Sequence, residues 1–145
     1  MRDLSSHIAT ALAIGPAVYT ADTTSAAVDL QGFDSALINI AVGIGGVTFD
    51  ATNKIEFVLT HSDDGATYTA VTADDLNGKD APATVTDGIV KSLTAAHATA
   101  DVSEIGYIGD KRYLQLFANF SGAHATGTPI SAEVVKGSPW MAPAN

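Results

Sequence analysis

Residues 112–120 read RYLQLFANF, a stretch in which apolar side chains recur at every second position. Successive side chains of a β-strand point to opposite faces, so this period of two predicts a strand with one face in a core. Residues 54–60 (KIEFVLT) repeat the pattern, and residues 35–42 (SALINIAV) are apolar on both faces, which predicts a central strand. The predicted strands cover residues 26–30, 35–42, 54–60, 66–71, 88–94, 102–108, 112–120 and 130–136.

Turn-forming residues separate these segments. Gly, Asn, Asp and Pro are concentrated in GIGG (43–46), SDDGA (62–66), NGKDAP (77–82) and SGAHATGTP (121–129). Such residues favour chain reversals, so the spacing predicts an all-β protein with a single jelly-roll-like β-sandwich of about eight strands. One helical turn is predicted at residues 72–76 (TADDL), which begin with a capping Thr. Residues 95–100 (AAHATA) fit either a turn of helix or a loop.

Composition limits the possible function classes. A chain of 145 residues predicts one domain, and the absence of cysteine excludes a disulfide scaffold, a thiolate zinc site and a cysteine nucleophile. The 16 acidic against 7 basic residues give a net charge of −9, which repels phosphate backbones and anionic lipids. No apolar run is long enough to span a bilayer. We therefore expect a soluble protein without nucleic-acid or membrane partners.

The two ends of the chain lack the alternation of the middle. We predict an N-terminal arm over residues 1–20, a β-sandwich domain over 21–137 and a C-terminal tail over 138–145. Residues 1–19 superficially resemble a secretory signal, but Asp3 and His7 interrupt that pattern. An arm that orders only on a partner needs apolar anchors to offset the lost conformational entropy. The predicted partner-binding residues are Leu4, Ile8, Leu12, Ile14, Trp140 and Met141.

Trp140 is the best single anchor among these residues. It follows Pro139 and lies near Pro143, so a large ring sits in a segment that proline stiffens. The alternative is that Trp140 closes one end of the protein's own sandwich.

The sequence contains no catalytic or metal-binding pattern. Its histidines, at positions 7, 61, 97 and 124, share no ligand spacing, and His61 with Asp63 would be a weak ligand set. The acidic pairs at 63–64 and 74–75 lack the alternating oxygen ligands of a calcium loop. There is neither a GxSxG elbow nor a phosphate-binding loop. We therefore expect no enzymatic activity, no metal and no cofactor.

The most distinctive segment is SDDGATY at residues 62–68. It is similar to the Asp-box turn of sialidase-like propellers, SxDxGxTW, but its Gly comes one residue early and it occurs once. In physical terms it predicts an Asp-Gly reversal, in which a side-chain oxygen caps nearby amides and Gly takes a positive φ.

Three segments in order, GFDSA (32–36), SDDGATY (62–68) and YIGDKRYLQL (107–116), give the chain a wider resemblance. Their order resembles that of small structural proteins encoded among the virion genes of tailed bacteriophages and prophages. The resemblance covers residues 16–137, except for the stretch 79–100. It implies a capsid decoration or cement protein, made in the host cytoplasm, that binds the major capsid protein on the outer capsid surface. It also implies a homo-oligomer, expected to be a trimer.

Two further functions stay open at this point. A tail or fibre-associated module would bind carbohydrate or a receptor through exposed aromatics such as Tyr68, Tyr107 and Tyr113. A small carbohydrate-active enzyme is the third alternative. For the cement protein, we expect outward-facing apolar residues such as Leu37 and Phe117 to lie at subunit contacts.

Overall fold

Two antiparallel β-sheets pack face to face in the computed structural model, which describes residues 3–45 and 47–144. Parts of the predicted arm (Met1 and Arg2), of the GIGG turn (Gly46) and of the tail (Asn145) lie outside the described residues. Two short 3₁₀ turns occupy Ser5–His7 and Ala73–Asp75. The strands are β1 (Ile8–Tyr19), β2 (Thr23–Thr24), β3 (Val28–Asp29), β4 (Phe33–Val42), β5 (Lys54–Ser62), β6 (Thr69–Ala70), β7 (Leu76–Asn77), β8 (Ile89–Leu93), β9 (Asp101–Tyr107), β10 (Tyr113–Ser121) and β11 (Thr128–Pro139).

Sheet A has the strand order β1-β11-β4-β9-β7, and sheet B has the order β2-β10-β5-β6. In sheet B, β3 also pairs with β10, and β8 pairs with β5. The chain crosses repeatedly from one sheet to the other, as it does from β1 to β2, from β4 to β5 and from β9 to β10. The prediction of an all-β sandwich is confirmed. The jelly-roll-like detail stays a prediction.

The core forms between the inward-facing residues of the long strands. Every second residue is buried over residues 36–42 of β4 and 128–134 of β11 in sheet A. The same alternation runs over residues 55–61 of β5 and 114–118 of β10 in sheet B. Burying these side chains from water provides the main driving force that holds the sheets together. The most deeply buried include Ile38, Ile40, Ile55, Phe57, Leu59, Ile105, Leu114, Leu116 and Val134.

The predicted strands match the observed ones best where alternation is regular. The predictions at 35–42, 54–60, 102–108, 112–120 and 130–136 fall on β4, β5, β9, β10 and β11. The predictions at 26–30 and 66–71 shrink to the two-residue strands β3 and β6. Residues 95–100 form a loop, and no helix in the described part of the chain is long and apolar enough to cross a membrane.

Two local predictions are confirmed in detail. The helical turn at Ala73–Asp75 begins after Thr72, whose backbone N–H and hydroxyl donate to Asp75 Oδ2 at 2.7 and 2.8 Å. In the SDDGATY turn, Asp64 Oδ1 accepts from the backbone N–H groups of Ala66 and Thr67 at 2.9 and 2.8 Å. Gly65 has a φ of 69°, as the reversal requires.

The predicted N-terminal arm over residues 1–20 is corrected by the structure. Residues 8–19 form β1, a 12-residue strand that pairs with β11 from Ile8 opposite Gly137 to Tyr19 opposite Thr128. Two register shifts, between Leu12 and Ile14 and between Ile14 and Ala17, interrupt the regular pairing. These irregularities hide the period of two from a pattern search.

The boundary of the predicted tail, residues 138–145, also moves. Strand β11 continues to Pro139, so the sandwich extends past residue 137. Beyond it the chain folds back on its own domain, because the Trp140 N–H donates to the Gly32 carbonyl and the Ala144 N–H to the Ser6 carbonyl, both at 2.9 Å. The two chain ends therefore meet at one end of the sandwich.

Candidate functional site

The outward side of sheet A carries apolar side chains where a solvent-facing sheet normally carries polar ones. Leu12 and Val18 of β1 are 63% and 61% exposed, and Val102 of β9 is 55% exposed. We call this surface the apolar outer face; it consists of Leu12, Pro16, Val18, Ala41, Val102 and Pro129.

Strand register makes this surface continuous across four strands. Val102 lies opposite Ala41, and Val18 lies opposite Pro129. A shallow groove of ≈ 440 Å³ runs over these rows. The first and last of four neighbouring strands lie about 14 Å apart at a spacing of about 4.8 Å, so the surface is a patch and not a scatter of single residues. Exposed apolar patches on a protein that already has a full core are typical of interaction sites.

Polar groups on the same side of sheet A are largely paired. Asn39 Nδ2 donates to Glu133 Oε1 at 3.3 Å, and Lys79 Nζ lies 3.3 Å from Glu104 Oε2. The amide oxygen of Asn39 is buried and has no hydrogen-bond partner among the described residues. This oxygen is covered by the protein itself, so it is not an acceptor for a molecule docked on the outer face.

Sheet A ends in β1 on one side and in the two-residue β7 on the other, and its β1 edge is unsuited to strand addition. Within β1, Pro16 lacks the N–H that a further strand would need. The register shifts on either side of Ile14 also bend this edge. A partner of sheet A therefore has a broad face available to it on the outward side, but a poor edge.

The six predicted anchors lie in four different environments. Ile14 is only 2% exposed and belongs to the core, so its predicted role as a partner contact is wrong. Leu12 projects from the apolar outer face, and Ile8 is half-buried at the start of β1. Leu4, Trp140 and Met141, which are 65%, 66% and 81% exposed, lie where the chain ends meet.

A second surface is a cleft at this end of the sandwich, which we call the Trp140 cleft. It has a volume of ≈ 400 Å³. The Trp140 Nε1–H donates to Asp34 Oδ1 at 2.7 Å, which together with the backbone bond to Gly32 fixes the ring. The cleft is lined by Leu30, Gln31, Phe33, Asp34, Ser35, Asp63, Tyr107, Gly109, Asp110, Lys111, Arg112 and Trp140.

The cations of the Trp140 cleft are already engaged by acids. Arg112 donates from Nε and Nη2 to Asp29 at 2.8 and 2.7 Å, and this hydrogen bonding lowers the pKa of Asp29 and raises that of Arg112. Lys111 Nζ donates to Asp63 at 2.8 Å, and this hydrogen bond raises the pKa of Lys111. The carboxylates of Asp34 and Asp110 add to those of the two ion pairs, so acids outnumber bases around the cleft.

The three tyrosines considered for receptor binding do not form an exposed platform, so that prediction is corrected. Tyr107 is 2% exposed; His61 Nδ1 lies 2.9 Å from its hydroxyl, and burial raises its pKa to about 12. Tyr113 lies beneath the Arg112 guanidinium, 4.9 Å from its ring centroid. Tyr68 is half-buried, and burial raises its pKa. All three rings are therefore covered, at least in part, by the protein itself.

His61 and Asp63, the weak ligand set, line the same shallow pocket, but each is engaged by another residue. His61 contacts Tyr107, whereas Asp63 pairs with Lys111. Within residues 3–45 and 47–144, no group of three or more His, Cys, Asp or Glu side chains is arranged to hold a metal ion.

Most of the apolar outer face was missed by the sequence reasoning, although a signal for it exists. Leu37 and Phe117 were expected outside the core, and both are half-buried on outward sides, next to the buried Ile38 and Leu116. Ala41 of β4 also lies on an outward side, between the buried Ile40 and Val42, so the same apolar alternation could have identified it. The residues that were not identified are Pro16, Val18, Ala41, Val102 and Pro129.

Comparisons with known proteins give structural likeness only. No family model and no curated protein sequence matches the chain. The chain is similar to the SPBc2 prophage-derived protein YomS, with 11% identity, a TM-score of 0.48 and coverage of 90% of this chain and 95% of that one. It is also similar to a family two carbohydrate esterase from Cellvibrio japonicus, with 9% identity, a TM-score of 0.32 and coverage of 95% and 36%. Similarity this low carries no argument about function.

Proposed function

We propose that this chain is a bacteriophage capsid decoration or cement protein that docks its apolar outer face on the major capsid protein at the outer capsid surface. The observation that carries the proposal is an exposed apolar surface across four strands of a sandwich whose core is already complete. The motif order GFDSA, SDDGATY and YIGDKRYLQL, which resembles small virion proteins, supports the same assignment.

The size of the surface supports attachment as an oligomer. A patch about 14 Å across the strands and about 20 Å along β1, from Leu12 to Val18, covers roughly 280 Å², about a third of the ~800 Å² that each partner contributes to a standard interface. One copy would therefore attach weakly. Several linked copies attach far more tightly because the later contacts become intramolecular. This is the physical reason for the proposed homotrimer, which native mass spectrometry of the isolated protein would test.

Contacts between copies have a candidate location on the other sheet. Phe117 of β10 and Val58 of β5 lie opposite each other on the outward side of sheet B, and both are half-buried. A contact there would leave the apolar outer face of sheet A free for the capsid. Single-particle analysis of the trimer would test this arrangement.

Binding of purified variants to capsids stripped of the protein tests the docking surface. Val102→Asp places an unpaired charge in the contact, and we expect attachment to weaken by about tenfold to 100-fold. Ile108→Asp is the matched control, because Ile108 is 56% exposed but does not line the apolar outer face. The proposal fails if folded Val102→Asp saturates capsids as the native protein does, or if both variants lose the same affinity.

The alternative function is a tail or fibre-associated module that binds carbohydrate or a receptor. This function is favoured by the exposed ring of Trp140, which could bind the ligand where the three tyrosines could not. Copy number separates the two functions, because a cement protein covers the capsid whereas a tail module occurs in few copies. Quantitative gel analysis of purified particles measures this number.

A further inference from the structure

We propose that the Trp140 cleft is a binding site for a neutral saccharide. This site is separate from the proposed capsid contact, because the residues that line the cleft and those of the apolar outer face do not overlap. A volume of ≈ 400 Å³ lies within the usual range of small-ligand sites, about 300–1,000 Å³.

Trp140 provides an accessible and fixed aromatic surface. The residue is 66% exposed, yet two hydrogen bonds hold it, from Nε1–H to Asp34 and from its backbone N–H to Gly32. Ordering a free side chain costs about 0.5–1.5 kcal/mol on binding, and a ring already held avoids most of that cost. The apolar C–H face of a pyranose ring can pack against such a surface while its hydroxyls stay at the rim.

Groups that can bind hydroxyls line the same cleft as this ring. Asp34 keeps a second carboxylate oxygen beyond the one bonded to Trp140, and the Asp63 and Asp110 side chains are 70% and 86% exposed. Ionised carboxylates accept hydrogen bonds from hydroxyl groups, and such charge-assisted bonds are stronger than neutral ones. One apolar surface beside several acceptors matches the two-sided chemistry of a sugar.

The charge of the cleft selects against acidic ligands. Its two cations are paired, Arg112 with Asp29, and Lys111 with Asp63 and, at 3.8 Å, with Asp110. Asp34 adds a further carboxylate to the lining. Phosphate or carboxylate groups would therefore meet net negative charge. This favours a neutral saccharide over a phosphorylated, sulfated or uronic-acid sugar.

A peptide fits the cleft less well. Extended peptides usually bind by adding a strand to an open sheet edge. At this end of the fold β4 is paired on both sides, by β11 and β9, so it offers no such edge. The cleft presents one largely exposed aromatic ring, that of Trp140.

The intrinsic fluorescence of the protein reports on this cleft directly, because Trp140 is the only tryptophan in the chain. The probes are a panel of neutral gluco-, galacto- and manno-oligosaccharides, with uronic-acid oligosaccharides and a proline-rich peptide alongside. We expect at least one neutral oligosaccharide to change the emission in a saturable way and to shift the Trp140 indole N–H resonance.

Variants give the controls. By saturation-transfer NMR, Trp140→Ala is expected to weaken binding at least about tenfold, and Asp110→Ala to weaken it less. Ile44→Ala is the matched control, since Ile44 is 63% exposed but does not line the cleft. The inference is overturned if no neutral oligosaccharide binds, if only the acidic sugars or the peptide bind, or if Trp140→Ala binds as the native protein does.

The capsid-binding assay separates saccharide binding at the Trp140 cleft from capsid attachment at the apolar outer face. Val102→Asp should bind saccharide normally, and Trp140→Ala should attach to capsids normally. If Trp140→Ala loses capsid attachment and the native protein binds no saccharide, Trp140 is a capsid anchor and the inference is wrong.

Discussion

Ile14 of β1 lies directly opposite Ala132 of β11, and both residues are only 2% exposed. The pair joins the N-terminal segment to the last strand of the sandwich and closes one side of the core. The N-terminal segment is thus an edge strand of sheet A. Its inward side chains belong to the core, and only its outward side chains are available to a partner.

Removing the Ile14 contact should destabilise the protein. Ile14→Ala leaves a cavity in the core, and we expect the free energy of unfolding to fall by about 2–5 kcal/mol. Leu12→Ala, at a site that is 63% exposed, should change it by less than about 0.5 kcal/mol. Urea denaturation followed by circular dichroism measures both. A chain lacking residues 1–15 that melts at the native temperature would contradict this role of β1.

Ser25, which lies between β2 and β3, is hydrogen-bonded to the central part of β10. Its hydroxyl accepts from the Leu116 N–H at 2.9 Å and donates to the Ala26 carbonyl at 2.8 Å, and the residue is 5% exposed. Ser25→Ala removes the side-chain acceptor of the buried Leu116 N–H, which should lower the free energy of unfolding by about 1–3 kcal/mol. Ser92→Ala, at an exposed position, is the control. Equal urea midpoints for the two variants would show that the Ser25 contact does not stabilise the fold.

The SDDGATY turn should resist acid to an unusually low pH. Hydrogen bonds from the Thr67 and Ala66 amides and the Ser62 hydroxyl lower the pKa of Asp64 from 3.8 to about 2. A lowered pKa means that the turn is stabilised above the unfolded value of 3.8 and loses this stabilisation as pH falls towards about 2.

NMR titration of the Ala66 and Thr67 amide resonances measures this transition. We expect a midpoint near 2 in the native chain, and Asp64→Asn should abolish the transition. Asp110→Asn is the control because its side chain is 86% exposed and lies outside the turn. A midpoint near 3.8 would show that the turn does not hold the Asp64 carboxylate.

The sequence predicted the elements in which local chemistry and burial agree. Strand β10 alternates regularly, and Asp64 and Gly65 make the reversal with side chains inside the turn itself. β1 escaped detection because Gly15, Pro16 and the two register shifts break its period. A strand of this kind is recognisable only from its pairing with β11, more than 100 residues later in the chain.

The candidate surfaces were harder to predict because they, too, depend on contacts between segments that are distant in the sequence. The apolar outer face depends on the register that sets Val102 opposite Ala41, which no single segment encodes. The hydrogen bond between Trp140 and Asp34 joins residues 106 positions apart. Sequence reasoning selected Trp140 for its size and its neighbouring prolines, but not the cleft around it.

A cryo-electron microscopy reconstruction of the assembled phage particle tests the proposed function most directly. The proposal predicts this protein on the outer capsid surface in groups of three, with Leu12, Val18 and Val102 against the major capsid protein. Density confined to the tail, or capsid-bound copies whose apolar outer face points to solvent, would contradict it.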